Sequence, residues 1–261
     1  MRAAFAIQLS VTMLAAAFLV VPAAMSVLTG LTANYFRGLE SGLTLRWVVE
    51  VWDLYAGEVV RSLAIALGCL ALTLLIGVPA AYALTKAPRR LARVVEEIVA
   101  LPIAVPGLAL ALALLQLYGT LSGFRTSSWF ILAGHVLFTL PFMVRAVLAV
   151  FAVIDLPRLE EAAAALGASP WARFRDIAAP NAAPGILAGA LTVVTLSIGE
   201  FNLTWMLHTP LTKTLPVGLA DAYASMRLEV ASAYTLVFFV MVLPLLVAMQ
   251  WAAARAQRLA R

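Results

Sequence analysis

The 261 residues are 64% hydrophobic and only 12% charged, with 18 Lys and Arg against 13 Asp and Glu and a net charge of +5. A water-soluble domain is about half apolar and one quarter charged, so this chain has too little charge to cover a water-facing surface, and lipid is the solvent its surface matches. The positive balance then reads as membrane topology rather than nucleic-acid binding, and one cysteine, Cys69, with two distant histidines, His135 and His208, suggests neither a disulfide nor a metal cluster.

Charge-free runs divide the chain from end to end: Ala3–Phe36, Ser62–Thr85, Ile98–Phe124, Thr126–Val144, Ile177–Gly199 and Val230–Ala254. A helix of about 20 residues crosses the hydrocarbon core, and each run approaches or exceeds that length. The expectation is an all-α polytopic membrane protein, one transmembrane domain over 1–261. Its transmembrane helices fall near 4–31, 62–85, 98–119, 128–152, 184–206 and 231–252. The first run is too long for a secretory signal and reads as a retained span. In 32–61, Trp47, Val51, Leu54 and Tyr55 recur at helical spacing with Trp52 beside them. They form either an amphipathic helix at the outer interface or an aromatic anchor for the second span. The fourth span continues past Arg145 towards Ile154, with the arginine snorkelling to the interface. The segment 207–229, with Pro210, Pro216 and Gly218, is too broken for one helix and suits a loop facing a pore or a partner. Prolines 22, 79, 102, 106, 141 and 244 fall inside spans and mark kinked or irregular helices.

Placing both termini in the cytoplasm puts Arg2, Lys86, Arg89, Arg90, Arg93, Arg145, Arg158, Arg173, Arg175, Arg255, Arg258 and Arg261 inside. Arg37, Arg46, Arg61, Arg125, Lys213 and Arg227 then lie outside. That two-to-one bias fits the excess of basic residues on cytoplasmic loops, and the inverted topology reverses it. The expected location is a multi-pass protein of the cell (inner) membrane, in contact with lipid and with no nucleic-acid partner. No phosphate-binding loop is present, since Lys86 and Lys213 lie in Thr-Lys-Ala and Thr-Lys-Thr. Nothing pairs a nucleophile with a base, so no catalysis and no cofactor are expected.

One inner segment stands out. Residues 155–180 carry Leu159, Ala162, Ala163 and Leu166 on one side of a short helix, then Gly167 at a helix C-terminal turn. Ser169 offers an N-cap and Pro170 fits the first helical position. A second short helix carries Trp171, Phe174 and Ala178 on one side and ends at Pro180. Such a pair either docks in a groove on a cytoplasmic partner or lies on the membrane with Trp171 as its anchor.

The same residues carry a resemblance. Glu161-Ala162-Ala163, three residues, Gly167, nine residues, then Ile177 and Pro180 resembles the EAA signature of binding-protein-dependent ABC importer permeases, with Ala179 where the family pattern has leucine. Further similarity runs from Arg61 through Gly77–Leu84, Leu101-Pro102 to Pro106-Gly107, Gly199-Glu200-Phe201 and Thr214–Val217. The resemblance implies a type I ABC importer permease fold. It implies that Glu161 pairs with a basic residue of an ABC ATPase subunit dimer and that Gly167 sets a bend. It also implies a second permease subunit, homologous or identical, and a periplasmic or lipid-anchored solute-binding protein. The general look is that of polyamine, phosphonate, ferric-ion and oxyanion permeases, closer to spermidine/putrescine-type and 2-aminoethylphosphonate-type members. An ion-coupled secondary transporter is the reading from another class, but it more often shows paired broken helices and intramembrane carboxylates on several spans. Here Glu200 is the acidic residue within a span, followed by Asn202 and Thr204. A carboxylate at that depth avoids lipid, so the three residues line the translocation path or its gate, or Glu200 meets a partner permease.

Overall fold

The computed structural model describes residues 2–259. Arg261, counted above with the inner basic residues, lies outside the described residues, as do the side chains of Arg2 and Arg258. The chain is helical: α1 (Arg2–Thr29), α2 (Arg46–Lys86), α3 (Arg89–Ala104), α4 (Gly107–Tyr118), α5 (Ser122–Arg125), α6 (Ser128–Val153), α7 (Leu156–Ala165), α8 (Pro170–Arg173), α9 (Ala179–Asn181), α10 (Ala183–Gly199), α11 (Asn202–Leu207), α12 (Leu215–Ala224) and α13 (Leu228–Leu259). A 3₁₀ turn occupies Gly38–Ser41 and a π turn joins α8 to α9 over Phe174–Ala178. Four helices are long and apolar enough to cross a membrane, or six if the bent pairs α3–α4 and Pro170–Asn181 with α10 each count as one span.

Several sequence expectations change here, each for a local reason. The aromatic segment at Trp47–Tyr55 is not a separate interfacial helix but the first turns of α2, a 41-residue helix continuous with the expected second span. The span expected at 98–119 is two helices meeting at 105°. Val105 is extended because the ring of Pro106 disfavours helical geometry in the residue before it. The other five span prolines stay within helices. The span expected at 184–206 stops at Gly199, and Glu200 is extended before α11 begins. Within 207–229, Pro216 does not prevent a helix, because it falls in the first turn of α12, where no intrahelical N–H is needed. Pro180 likewise does not end its helix, which runs on to Asn181. The π turn before it widens the backbone where the ring would otherwise meet the carbonyl four residues back.

By packing, the chain falls into two compact units. One comprises Met1–Val59 with Val217–Met241, the other Val60–Pro216 with Val242–Arg261. In the first, Ser26 and Thr29 on α1 bond Thr235 and Ser232 on α13 at 3.3 and 3.1 Å. Trp47 Nε1–H donates to the Thr32 carbonyl at 2.9 Å, Arg227 pairs with Glu50 and Tyr55, and Tyr234 donates to Glu58. Its α1 exposes apolar side chains such as Phe5, Leu14 and Phe18, a surface only lipid or another apolar chain can cover. The core of the second unit is α6, whose Phe130, Ile131, Met143, Val147 and Phe151 are buried. Against it α10 packs closely: a Cβ added to Gly185 would sit 2.5 Å from the Ala146 carbonyl oxygen, and one on Gly189 2.7 Å from Met143 Sδ.

Candidate functional site

The segment after α6 begins with Asp155 in left-handed geometry, and Pro157 then fits the first turn of α7. Its end follows from Gly167, whose φ of +86° a residue with a Cβ resists. Ala168 N–H donates to the Ala163 carbonyl at 3.0 Å and Gly167 N–H to the Ala164 carbonyl at 2.9 Å. These are the paired bonds of a Schellman turn, which satisfy carbonyls the helix end leaves open. Ser169 Oγ then accepts from Ala172 N–H at 3.2 Å and Pro170 opens α8. The bend between α7 and α8 is therefore fixed at both ends by backbone hydrogen bonding.

The faces of α7 are disposed against ordinary amphipathic logic. Leu159, Ala162 and Leu166 are exposed, Leu166 at 89%, and Ala163 is half-buried. The inward face is Leu156 and Glu160, and Glu160 is only 6% exposed. Glu161 lies on the outer face and makes no ion pair or hydrogen bond among the described residues. Trp171, 65% exposed, stacks at 5.7 Å on Phe174, which continues inward to Tyr82 at 5.0 Å. Ile177 is half-buried and Pro180 exposed. On the outer side of the same segment the Arg175 guanidinium grips Asp176 with two bonds of 2.7 and 2.9 Å and holds its carboxyl below the usual carboxylate range.

The carboxylate of Glu160 was not singled out by sequence reasoning. It accepts from the Tyr82 hydroxyl, and Lys86 Nζ approaches the same oxygen at 3.2 Å. The ammonium also rests 3.8 Å from the centre of the Tyr82 ring. A signal was available in the helical phase: Glu160 is four residues from Leu156, the most buried residue of α7.

The second candidate region is the break between α10 and α11. Glu200 Oε1 accepts from Leu203 N–H at 2.9 Å; Oε2 accepts from Thr204 N–H at 2.9 Å and from the Thr204 hydroxyl at 3.0 Å. The carboxylate thus caps the open N–H groups at the start of α11, where the helix dipole also favours negative charge. Thr204 is buried and reaches His135 Nε2 at 2.8 Å, while His135 Nδ1 meets Ser197 Oγ at 2.8 Å. Since the Thr204 proton goes to Glu200, Nε2 carries the imidazole proton and Nδ1 accepts from Ser197. One chain of bonds therefore runs Ser197, His135, Thr204, Glu200 across the break. His135, 2% exposed, was set aside in the sequence because nothing local reveals partners 62 and 69 residues away. Glu200 and Thr204 come together here, while Asn202 is exposed on α11. Among the described residues no group of three or more His, Cys, Asp or Glu side chains could hold a metal ion.

Comparison with known proteins accords with this architecture. The putative 2-aminoethylphosphonate transport system permease protein PhnV of Salmonella typhimurium is 28% identical over 267 residues, covering 97% of this chain and 96% of its own. The spermidine/putrescine transport system permease protein PotC of Escherichia coli is 28% identical over 205 residues, covering 77% and 76%. The fold resembles a chain of a bacterial ABC transporter involved in import of the acidic polysaccharide alginate, with a TM-score of 0.74, 17% identity and coverage of 96% and 94%. It also resembles one from the MetNI methionine ABC transporter, with a TM-score of 0.65, 20% identity and coverage of 81% and 98%. Residues 73–260 match the family described as binding-protein-dependent transport system inner membrane component, and this chain is a member of that family, a multi-pass permease of the ABC transporters.

Proposed function

We propose that the chain forms half of the translocation path of an ABC importer. It is driven by a separate ATPase dimer that docks on residues 155–180, and it is paired with a second permease, homologous or identical. The observation that carries this is the inverted α7. It turns its apolar face and Glu161 outward, beside exposed Trp171, and buries Glu160 instead. An apolar stripe with a free carboxylate at its edge suits a groove on a protein that supplies a basic residue, and it does not suit lipid headgroups alone. In this reading Ala162 and Ala163 permit close approach, Gly167 holds the bend, and Ile177 and Pro180 join the segment to the span that follows. Both termini and the docking segment are cytoplasmic.

The solute is an amine delivered by an extracytoplasmic binding protein. The two named relatives are a 2-aminoethylphosphonate and a spermidine/putrescine permease, and all three of those solutes carry a protonated amine. Glu200 and Thr204 are occupied with holding the α10–α11 break. Asn202 is the side chain of the three left to meet solute or the second permease.

The test is to co-express the chain with a candidate ABC ATPase and a candidate partner permease. Glu161→Lys reverses the docking charge and Gly167→Val forbids the left-handed turn, at about 1–2 kcal/mol. Both variants are expected to insert normally and to lose most of the ATPase that co-purifies. Wild-type recovery of ATPase with both removes the docking assignment. For the solute, thermal shift of the binding protein is expected with 2-aminoethylphosphonate, putrescine or spermidine. A response confined to ferric ion, sulfate or molybdate overturns the amine assignment.

A further inference from the structure

The reading above gives α7 an outer face for the ATPase and leaves open how its movement reaches the membrane helices. We infer that Glu160 is a positioning residue that locks α7 to the end of α2, through Tyr82 and Lys86, so that displacement of α7 is transmitted to α2. The inference rests on the proposed docking of an ATPase at this segment.

Three observations converge. First, adjacent carboxylates on α7 meet opposite environments: Glu161 is exposed, whereas Glu160 is 6% exposed and faces inward. A buried carboxylate is costly unless paired and hydrogen-bonded, so its placement ties α7 to whatever supplies the partners. Second, both partners come from the last turns of α2. Tyr82 donates its hydroxyl and Lys86 approaches at 3.2 Å, and the two are themselves linked because the ammonium lies over the Tyr82 ring. Third, Tyr82 is the hub of an aromatic cluster. Phe174 from the π turn lies 5.0 Å from it and Phe151 from α6 at 6.5 Å. Tyr82 therefore meets the segment on both sides of the Gly167 bend, Glu160 before it through the hydroxyl and Phe174 after it through the ring. Glu160 thus joins α7 to a long helix by one ion pair and one hydrogen bond. A pull on α7 loads that joint, and α2 is the long helix at its other end.

The experiment uses the purified complex with its ATPase in a Cys69→Ala background. Leu75, exposed on α2, is replaced by Cys and carries an environment-sensitive fluorophore. The probe of ATPase closure is ATP with vanadate, read as trapped nucleotide. The parent complex is expected to change fluorescence on trapping. Glu160→Ala and Lys86→Ala are each expected to trap nucleotide normally yet lose the fluorescence change by about fivefold or more. The double variant should lose no more than Glu160→Ala alone, since that change already removes the group both Tyr82 and Lys86 hold. A merely structural role predicts less complex but a full signal from what assembles. Where Glu160→Ala fails to assemble, Glu160→Gln keeps the shape and removes the charge, and the same loss is expected. A full response in these variants, or losses that multiply in the double variant, overturns the inference. So does a parent whose α2 ignores trapping, because there is then no motion to transmit. Failure of the parent chain to hold any ATPase overturns the docking assignment first, and this inference with it.

Discussion

Glu200 accepts three hydrogen bonds within its own turn, and that changes what a substitution there reports. In the sequence, Glu200→Gln looks like a change that keeps shape and hydrogen bonding and removes only charge. In the structure both oxygens are acceptors, so glutamine's NH₂ group must face a donor and one oxygen's bonds are lost. Glu200→Gln is therefore expected to loosen the start of α11 by about 1 kcal/mol even if no cation ever touches the residue. His135→Ala removes the link between Ser197 and Thr204 and leaves two hydroxyls in a packed interior. The expected cost is about 1–3 kcal/mol, towards the lower end because hydrogen bonds between membrane helices average less. Thermal unfolding of the detergent-purified complex measures both. If the four residues act as one chain, the double variant loses less than the sum of the singles; strict additivity would show that the break is held by independent contacts. The same local view explains why Glu160 escaped notice: its neighbours in sequence are those of Glu161, and only the phase of α7 against Tyr82 and Lys86 separates them.

Between elements, the contact of α6 with α10 is set by two glycines a helical turn apart. Gly185-x-x-x-Gly189 is a small-residue spacing that lets backbones approach, and it is legible in the sequence. The two positions are not equivalent. A Cβ at 185 would meet a backbone carbonyl, that of Ala146, which cannot move without its helix. At 189 its nearest atom would be the Met143 thioether, the flexible end of a side chain, with the Met143 Cα further off at 3.2 Å. Gly185→Ala is expected to destabilise the protein by about 1–3 kcal/mol, and Gly189→Ala by clearly less. Both are read as the shift in thermal unfolding midpoint of the purified protein. Equal effects would mean that the helices separate as rigid rods and not by local adjustment. The bent pair α3–α4 was legible in part. Pro106 announces an interruption, but a sequence shows only that a proline is present, and its neighbours decide that Pro102 and Pro141 are absorbed while Pro106 turns the chain through 105°.

For the molecule as a whole, what the sequence made readable is what lipid imposes. A spanning helix must satisfy its own backbone and present about 20 apolar residues, so uncharged runs mark α1, α2, α6 and α13 almost without regard to their neighbours. The EAA segment was legible for another reason: its bend is local, made by Gly167, Ser169 and Pro170. The Glu200 cap, the His135 chain and the Glu160 joint depend on residues 60 or more positions away or on a break in a span, so local pattern does not reveal their partners, although the helical phase puts Glu160 on the side of Leu156. The orientation of the whole depends on charge counting, which can be tested directly. Cys69 is buried, so a Cys69→Ala chain is a clean background for single cysteines. Ser122 and Ser225 are exposed and belong outside; Arg90 and Ala165 are exposed and belong inside. Ala165 lies on the proposed docking face, where a bound ATPase shields it, so Arg90 supplies the unshielded inner reading. With a membrane-impermeant maleimide, intact cells should label Ser122→Cys and Ser225→Cys and spare Arg90→Cys and Ala165→Cys. Inverted vesicles should label Arg90→Cys and spare the outer pair. Labelling of Arg90→Cys in intact cells would reverse the assignment of every loop. It would also place residues 155–180 on the side where no ATP is found, which would end the docking proposal as well.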